Sequence, residues 1–147
     1  MTRQVVVLNG PNLNLLGQRE PDIYGRTSLA DIEAACRSRA TKLSLDLHSF
    51  RQTNHEGQLI DWIHETRERG AGVAINAGAW AATSIAIADA LRVLKAPVIE
   101  VHISNIHRRE ALRHNSYVSQ VAHGVIAGFG YRSYLYALDA LADLLDP

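Results

Sequence analysis

Cysteine is nearly absent from the 147 residues: Cys36 stands alone, so neither an internal disulfide nor a thiolate metal cage can be built. Lysine is almost as scarce, with Lys42 and Lys95 the only two among otherwise arginine cations. Amine-based covalent catalysis therefore has few candidates, whereas arginine supplies the planar fork suited to carboxylates. Neither sign of charge is in excess, Lys plus Arg and Asp plus Glu each numbering 15, and nothing electrostatic points to nucleic acid or an anionic membrane. No apolar run is long enough to span a bilayer, and the N-terminus opens directly into an apolar strand without a signal-peptide pattern. A cytoplasmic location is the expectation. Repeats, low-complexity stretches and linkers are missing too, which predicts a single domain over residues 1–147.

Several chemistries are excluded in the same way. No G-x-G-x-x-G or Walker pattern follows any strand, which speaks against a nucleotide or flavin module. No G-x-S-x-G elbow supports a serine hydrolase. None of the seven histidines forms an H-x-x-x-H pair, so catalysis without a metal is expected.

What the chain does have is a regular alternation of short apolar runs with amphipathic stretches. Gln4–Asn9, Leu45–Phe50, Gly72–Ala77, Val98–Ile103 and Gly124–Phe129 read as strands. Ser28 with Asp31 marks a helix start, and Leu29, Ile32, Cys36 and Leu43 form its stripe. Leu59, Trp62, Ile63 and Thr66 mark a second helix ending at Gly70, and Ile85–Leu94 a third. Leu135, Leu138, Ala142 and Leu145 mark a terminal one. Asn12–Arg26 is polar and punctuated by Gly and Pro, and reads as a loop. Five such strands predict an α/β fold with a parallel sheet covered on both faces, doubly wound and flavodoxin-like.

In such a sheet ligands bind beyond the carboxyl ends of the strands. Here those ends carry Asn9, Asn12 and Asn14, then Gln52, Asn54 and His55, then Asn76 and Gly78, then Glu100, His102, Ser104 and Asn105. Single asparagines are ordinary turn residues. Repeated over four strand ends, they form a rim suited to a hydroxylated ligand with a carboxylate. His102 lies within an apolar strand, and Glu100, two positions earlier on the same face, is placed to orient it and fix its tautomer.

The run from Leu8-Asn9-Gly10-Pro11-Asn12-Leu13-Asn14 through Arg19-Glu20-Pro21 to Tyr24-Gly25 resembles the N-terminal signature of the type II 3-dehydroquinate dehydratases. Gln52-Thr53-Asn54-His55-Glu56-Gly57, Ile75-Asn76-Ala77-Gly78-Ala79, Glu100-Val101-His102-Ile103-Ser104-Asn105 and Gly124–Gly130 resemble that family's later blocks, in order and nearly end to end. The resemblance implies a cofactor-free lyase, typically a dodecamer built from trimers. Its substrate would be 3-dehydroquinate, dehydrated reversibly to 3-dehydroshikimate through an enolate. That step is common to the shikimate pathway of aromatic biosynthesis and to quinate breakdown. Tyr24 would be the base, assisted by Arg19. His102, backed by Glu100, would protonate the departing hydroxyl, and Asn12 would hold a water that stabilises the enolate. Asn76, the Ile103 backbone, Ser104 and Arg113 would grip the substrate, and Asp89 would act from a neighbouring subunit. A tyrosinate near neutrality needs its pKa lowered by about two or three units from ~10, which arginines in a desolvated site can supply.

One departure stands out. Family members commonly read Tyr-Thr-His-Thr-Ser where this chain has Trp80-Ala81-Ala82-Thr83-Ser84. Ala82 therefore replaces a substrate-contacting histidine, and weaker substrate binding is expected. It also leaves room for a catalytically silent binding or assembly protein, or for altered substrate choice, although every proton-transfer residue is retained.

Overall fold

The run Val5–Leu8 forms the middle of β1 (Arg3–Asn9), which pairs in parallel with β2 (Leu45–Gln52) on one side and β3 (Gly72–Asn76) on the other. β4 (Val98–His102) and β5 (Gly124–Ala127) extend the sheet, giving the all-parallel order β2-β1-β3-β4-β5. The computed structural model describes residues 3–18 and 20–146, with Tyr24 in its backbone only. This strand order is the flavodoxin-like one, with its switch point between β1 and β3.

Side chains alternate across the sheet, and both faces are covered. Val5 and Val7 face α2 (Leu29–Lys42) and α5 (Arg132–Leu145), and Val6 and Leu8 face α3 (Glu56–Arg69) and α4 (Ile85–Arg92). Helix α2 begins on a reciprocal capping box, in which Ser28 Oγ accepts from the Asp31 N–H and the Asp31 carboxylate accepts from the Ser28 N–H. Cys36, fully buried on α2, has its thiol pKa pushed up to about 12, chiefly by burial, as suits a packing residue. Among the described residues no helix is long and apolar enough to cross a membrane.

Two expectations are corrected in detail. The segment Asn12–Arg26 is not wholly a loop: it contains a 3-10 turn at Leu13–Leu15 and one helical turn, α1 (Pro21–Tyr24), begun by a proline whose fixed φ suits that position. β5 stops at Ala127, because Gly128, with φ 96°, turns the chain and leaves Phe129 exposed. The stripe expected for the terminal helix packs on the core, with Tyr134, Ala137, Leu138 and Leu141 fully buried at its centre and Leu135 and Leu145 at its margins.

The connection from β4 to β5 carries no α-helix. It runs through three short 3-10 turns, at Ile106–Arg108, Ala111–Arg113 and Val118–Gln120, and it is this segment that builds one side of the site.

Candidate active site

Beyond the carboxyl ends of β1, β3 and β4 lies a cleft enclosing about 620 Å³, part of it open to solvent. Its polar lining comprises Asn12, Asn76, His102, Ser104, Arg109, Arg113 and Ser116. Its apolar lining includes Pro11, Leu13 and the small residues Ala79, Ala81 and Ala82.

The two-residue period of β4 puts Glu100 and His102 on one face of the sheet. His102 is 6% exposed and Glu100 not at all. Sequence reasoning placed Glu100 on the rim; it lies beneath it, with Oε2 2.5 Å from His102 Nε2. Ser116 Oγ donates to the same oxygen at 2.6 Å, and Ser119 Oγ donates to Oε1. Burial alone would raise the Glu100 pKa, but the hydrogen bonds from His102, Ser116 and Ser119 outweigh it and hold the carboxyl below its ordinary range. The pair is therefore a carboxylate and an imidazole whose Nε2 is committed to it, leaving Nδ1 as the ring nitrogen available to a ligand.

Asn76 is fixed from behind. Asn9 and Asn76 are register partners on β1 and β3, and the Tyr134 hydroxyl from α5 joins them. It donates to Asn9 Oδ1 at 2.6 Å and accepts from Asn76 Nδ2 at 2.9 Å. Asn76 Oδ1 in turn accepts from the Gly78 N–H at 3.1 Å, so one N–H of the amide remains for the cleft. Burial pushes the Tyr134 pKa up, against the opposing effect of the Asn76 hydrogen bond, and the phenol stays neutral.

Asn12 lines the cleft in a left-handed conformation, φ 69°, and its N–H donates to Asn54 Oδ1 at 2.9 Å. Gln52 Nε2 donates to the same Asn54 oxygen and to the Gly10 carbonyl, each at 3.1 Å. The end of β2 thus braces the loop after β1 from outside the cleft instead of lining it. Gly10 admits no side chain, since a Cβ there would stand 2.4 Å from the Ala77 carbonyl oxygen.

Of the other anticipated residues, Ile103 and Ser104 follow directly from β4 and line the cleft. Arg113 also lines it, with Nε 2.6 Å from Glu110 Oε1, and that contact is the main reason the Glu110 pKa is lowered. Asp89 lies exposed on α4 and outside the cleft. Arg19 falls outside the described residues. Tyr24 closes α1, between the positive-φ glycines Gly17 and Gly25, and its side chain likewise falls outside the description. Among the described residues no three His, Cys, Asp or Glu side chains gather as a metal site. Sequence reasoning assigned no role to Ser116, Ser119 or Tyr134. The one available signal was Tyr134, a polar-tipped aromatic on a buried helix face that is apolar apart from Ser133.

Fold and cleft together define a flavodoxin-like α/β protein with a buried histidine–carboxylate pair at its switch-point site. The chain belongs to the class II dehydroquinases, whose family model matches residues 3–142. It is 55% identical over 144 residues to the 3-dehydroquinate dehydratase of Rhizobium johnstonii, covering 98% of this chain and 99% of that one. It is 57% identical over 143 residues to 3-dehydroquinate dehydratase 2 of Pseudomonas aeruginosa, covering 97% and 96%. The crystal structure of the type II dehydroquinase from Propionibacterium acnes superposes with a TM-score of 0.93 at 49% identity, over 97% of this chain and 98% of that one.

Proposed function

We propose that this protein is a 3-dehydroquinate dehydratase in which Tyr24 acts as base and His102 as general acid. Tyr24, as tyrosinate and assisted by Arg19, takes the proton next to the ketone, and the electron pair moves onto the carbonyl oxygen as an enolate. Asn12 holds a water against that oxygen. His102 then gives the proton on Nδ1 to the departing hydroxyl as the C–O bond breaks. The enolate collapses to a conjugated enone, 3-dehydroshikimate, and water leaves. Tyr24 passes its proton to solvent, and His102 takes one back. Asn76, Ser104, the Ile103 backbone and Arg113 orient the hydroxyls and carboxylate of the ring. Asp89 reaches the site from a neighbouring subunit of a dodecamer built from four trimers.

The observation that carries this reading is the His102–Glu100 pair at the cleft floor, ringed by Asn12, Asn76, Ser104 and Arg113. Glu100, held ionised, stabilises the imidazolium that a general acid must be before it gives up its proton. The two lysines, Lys42 and Lys95, are outside the cleft, so a Schiff base has no partner there.

The test is to mix purified protein with 3-dehydroquinate and follow the enone by ultraviolet absorbance. Product from the wild type and none from Tyr24→Phe is the expected pattern. No product at high enzyme and substrate contradicts the reading.

A further inference from the structure

Glu100 is fully buried, and a buried carboxylate is costly unless its oxygens are satisfied. Most of its surroundings offer no donor. On β3 the register partner is Ile75 and on β5 it is Val125, both apolar. On its own strand only His102 reaches it, through Nε2 to Oε2. Among the described residues the remaining donors are two hydroxyls from the turn before β5: Ser116 shares Oε2 with His102, and Ser119 alone holds Oε1. Arg113, a cation lining the cleft, gives its Nε hydrogen to Glu110.

The turn that carries the serines is itself pinned. Val118 between them is fully buried in the α3/α4 face of the core. The Tyr117 N–H donates to the Ala81 carbonyl at 2.8 Å, and the Ser119 N–H donates to Ser116 Oγ at 3.2 Å. With no helix between β4 and β5, this turn is what covers Glu100. Its position is set by backbone and core contacts that do not involve either hydroxyl's bond to the carboxylate.

We propose that Ser119, together with Ser116, is a positioning residue of the reaction: the two hydroxyls hold Glu100 ionised and aimed at His102 Nε2, so that the imidazole presents Nδ1 to the substrate. Ser116 also lines the cleft, but both hydroxyl hydrogens are given to Glu100, so both serines act through it. Ser119 is the more informative of the two, because it sits on an exposed position and is, among the described residues, the sole partner of Oε1. The inference rests on the dehydratase reading for its kinetic consequence, but not for the state of Glu100.

Two readouts test it. In turnover of 3-dehydroquinate, Ser119→Ala lowers kcat on the order of tenfold and leaves KM within about twofold, since the lost bond acts on the acid and not on the grip. Ser119→Thr, which keeps the hydroxyl, restores kcat. Independently of activity, the Glu100 carboxyl is titrated by difference infrared spectroscopy, its band identified by its loss in Glu100→Gln. As pH is lowered, the protonated band appears at higher pH in Ser119→Ala than in the wild type, because a donor to the charged form has gone. In Ser119→Thr it returns to the wild-type position. An unmoved band in Ser119→Ala, or a kcat equal to the wild type's, overturns the proposal, and so does a loss that threonine does not rescue. Failure of the dehydratase reading looks different: no product from the wild type, with the shift of the carboxyl band still present.

Discussion

Replacing Tyr134 by Phe removes one oxygen atom and nothing else, which makes it a sharp probe of the scaffold behind Asn76. The ring stays, so no cavity term arises. The hydroxyl's two partners are orphaned: Asn9 Oδ1, in a residue with no exposure, loses its donor, and Asn76 Nδ2, in a residue 4% exposed, loses an acceptor. Each buried unpaired group costs about 1–3 kcal/mol, and roughly 1 kcal/mol returns because the hydroxyl no longer has to be desolvated. A net loss of about 2 kcal/mol is expected, a large part of a typical margin of about 5–15 kcal/mol. Urea unfolding at fixed protein concentration reads it as a lower midpoint with an unchanged slope, a drop of about 1 M for a slope near 2 kcal/mol/M. The effect also has a pH signature. Burial raises the Tyr134 pKa in the folded state, so its contribution is complete below the unfolded value of about 10 and is lost as pH rises above it. The wild-type advantage over Tyr134→Phe therefore shrinks in alkaline solution. A stability change under about 0.5 kcal/mol at neutral pH would refute the reasoning.

Three further outcomes are expected. Gly10→Ala forces a Cβ against the Ala77 backbone carbonyl, at 2.4 Å, so the ends of β1 and β3 must separate; both midpoint in urea and activity fall, and an active variant of unchanged stability would contradict the packing described. Ala82→His returns a hydrogen-bonding group to the apolar wall of the cleft; about 1 kcal/mol of added binding lowers KM roughly fivefold with kcat little changed, as steady-state kinetics would show. Glu100 has a lowered pKa when folded, so its stabilisation is complete above the unfolded value of about 4.3 and is lost as pH falls through the folded one. Acid unfolding curves should therefore show a larger loss of stability below about pH 4.3 in the wild type than in Glu100→Gln.

The elements legible in the sequence were those written in one local pattern. Residues 5–8 and 72–75 are continuous apolar runs, and Val98–His102 is β-branched apart from Glu100 and His102; such runs form strands buried on both faces. Ser28 and Asp31 announced the start of α2 because a capping box is local chemistry. The end of β5 was not legible, since Phe129 continues the apolar pattern while Gly128 turns the backbone. In α5 the stripe Leu135, Leu138, Ala142 and Leu145 does pack on the core, but only the packing shows that Tyr134, Ala137 and Leu141 carry its most buried part. Within the site, His102 and Glu100 were visible from their two-residue spacing. The serines that hold Glu100 were not, because 16 and 19 positions separate them from it in the chain and no periodicity links a turn to a strand. For the same reason Gln52 and Asn54 read as rim residues, although they hydrogen-bond to the loop after β1.

The central claim, that one side chain removes the proton and another expels the hydroxyl, is tested most directly by exchange in heavy water. Nuclear magnetic resonance of 3-dehydroquinate incubated with His102→Ala in deuterium oxide should show the hydrogen beside the ketone replaced by deuterium while little enone forms. Tyr24→Phe should show neither exchange nor product. Exchange that persists in Tyr24→Phe, or that disappears in His102→Ala while Tyr24 is intact, would contradict the division of labour between the two residues.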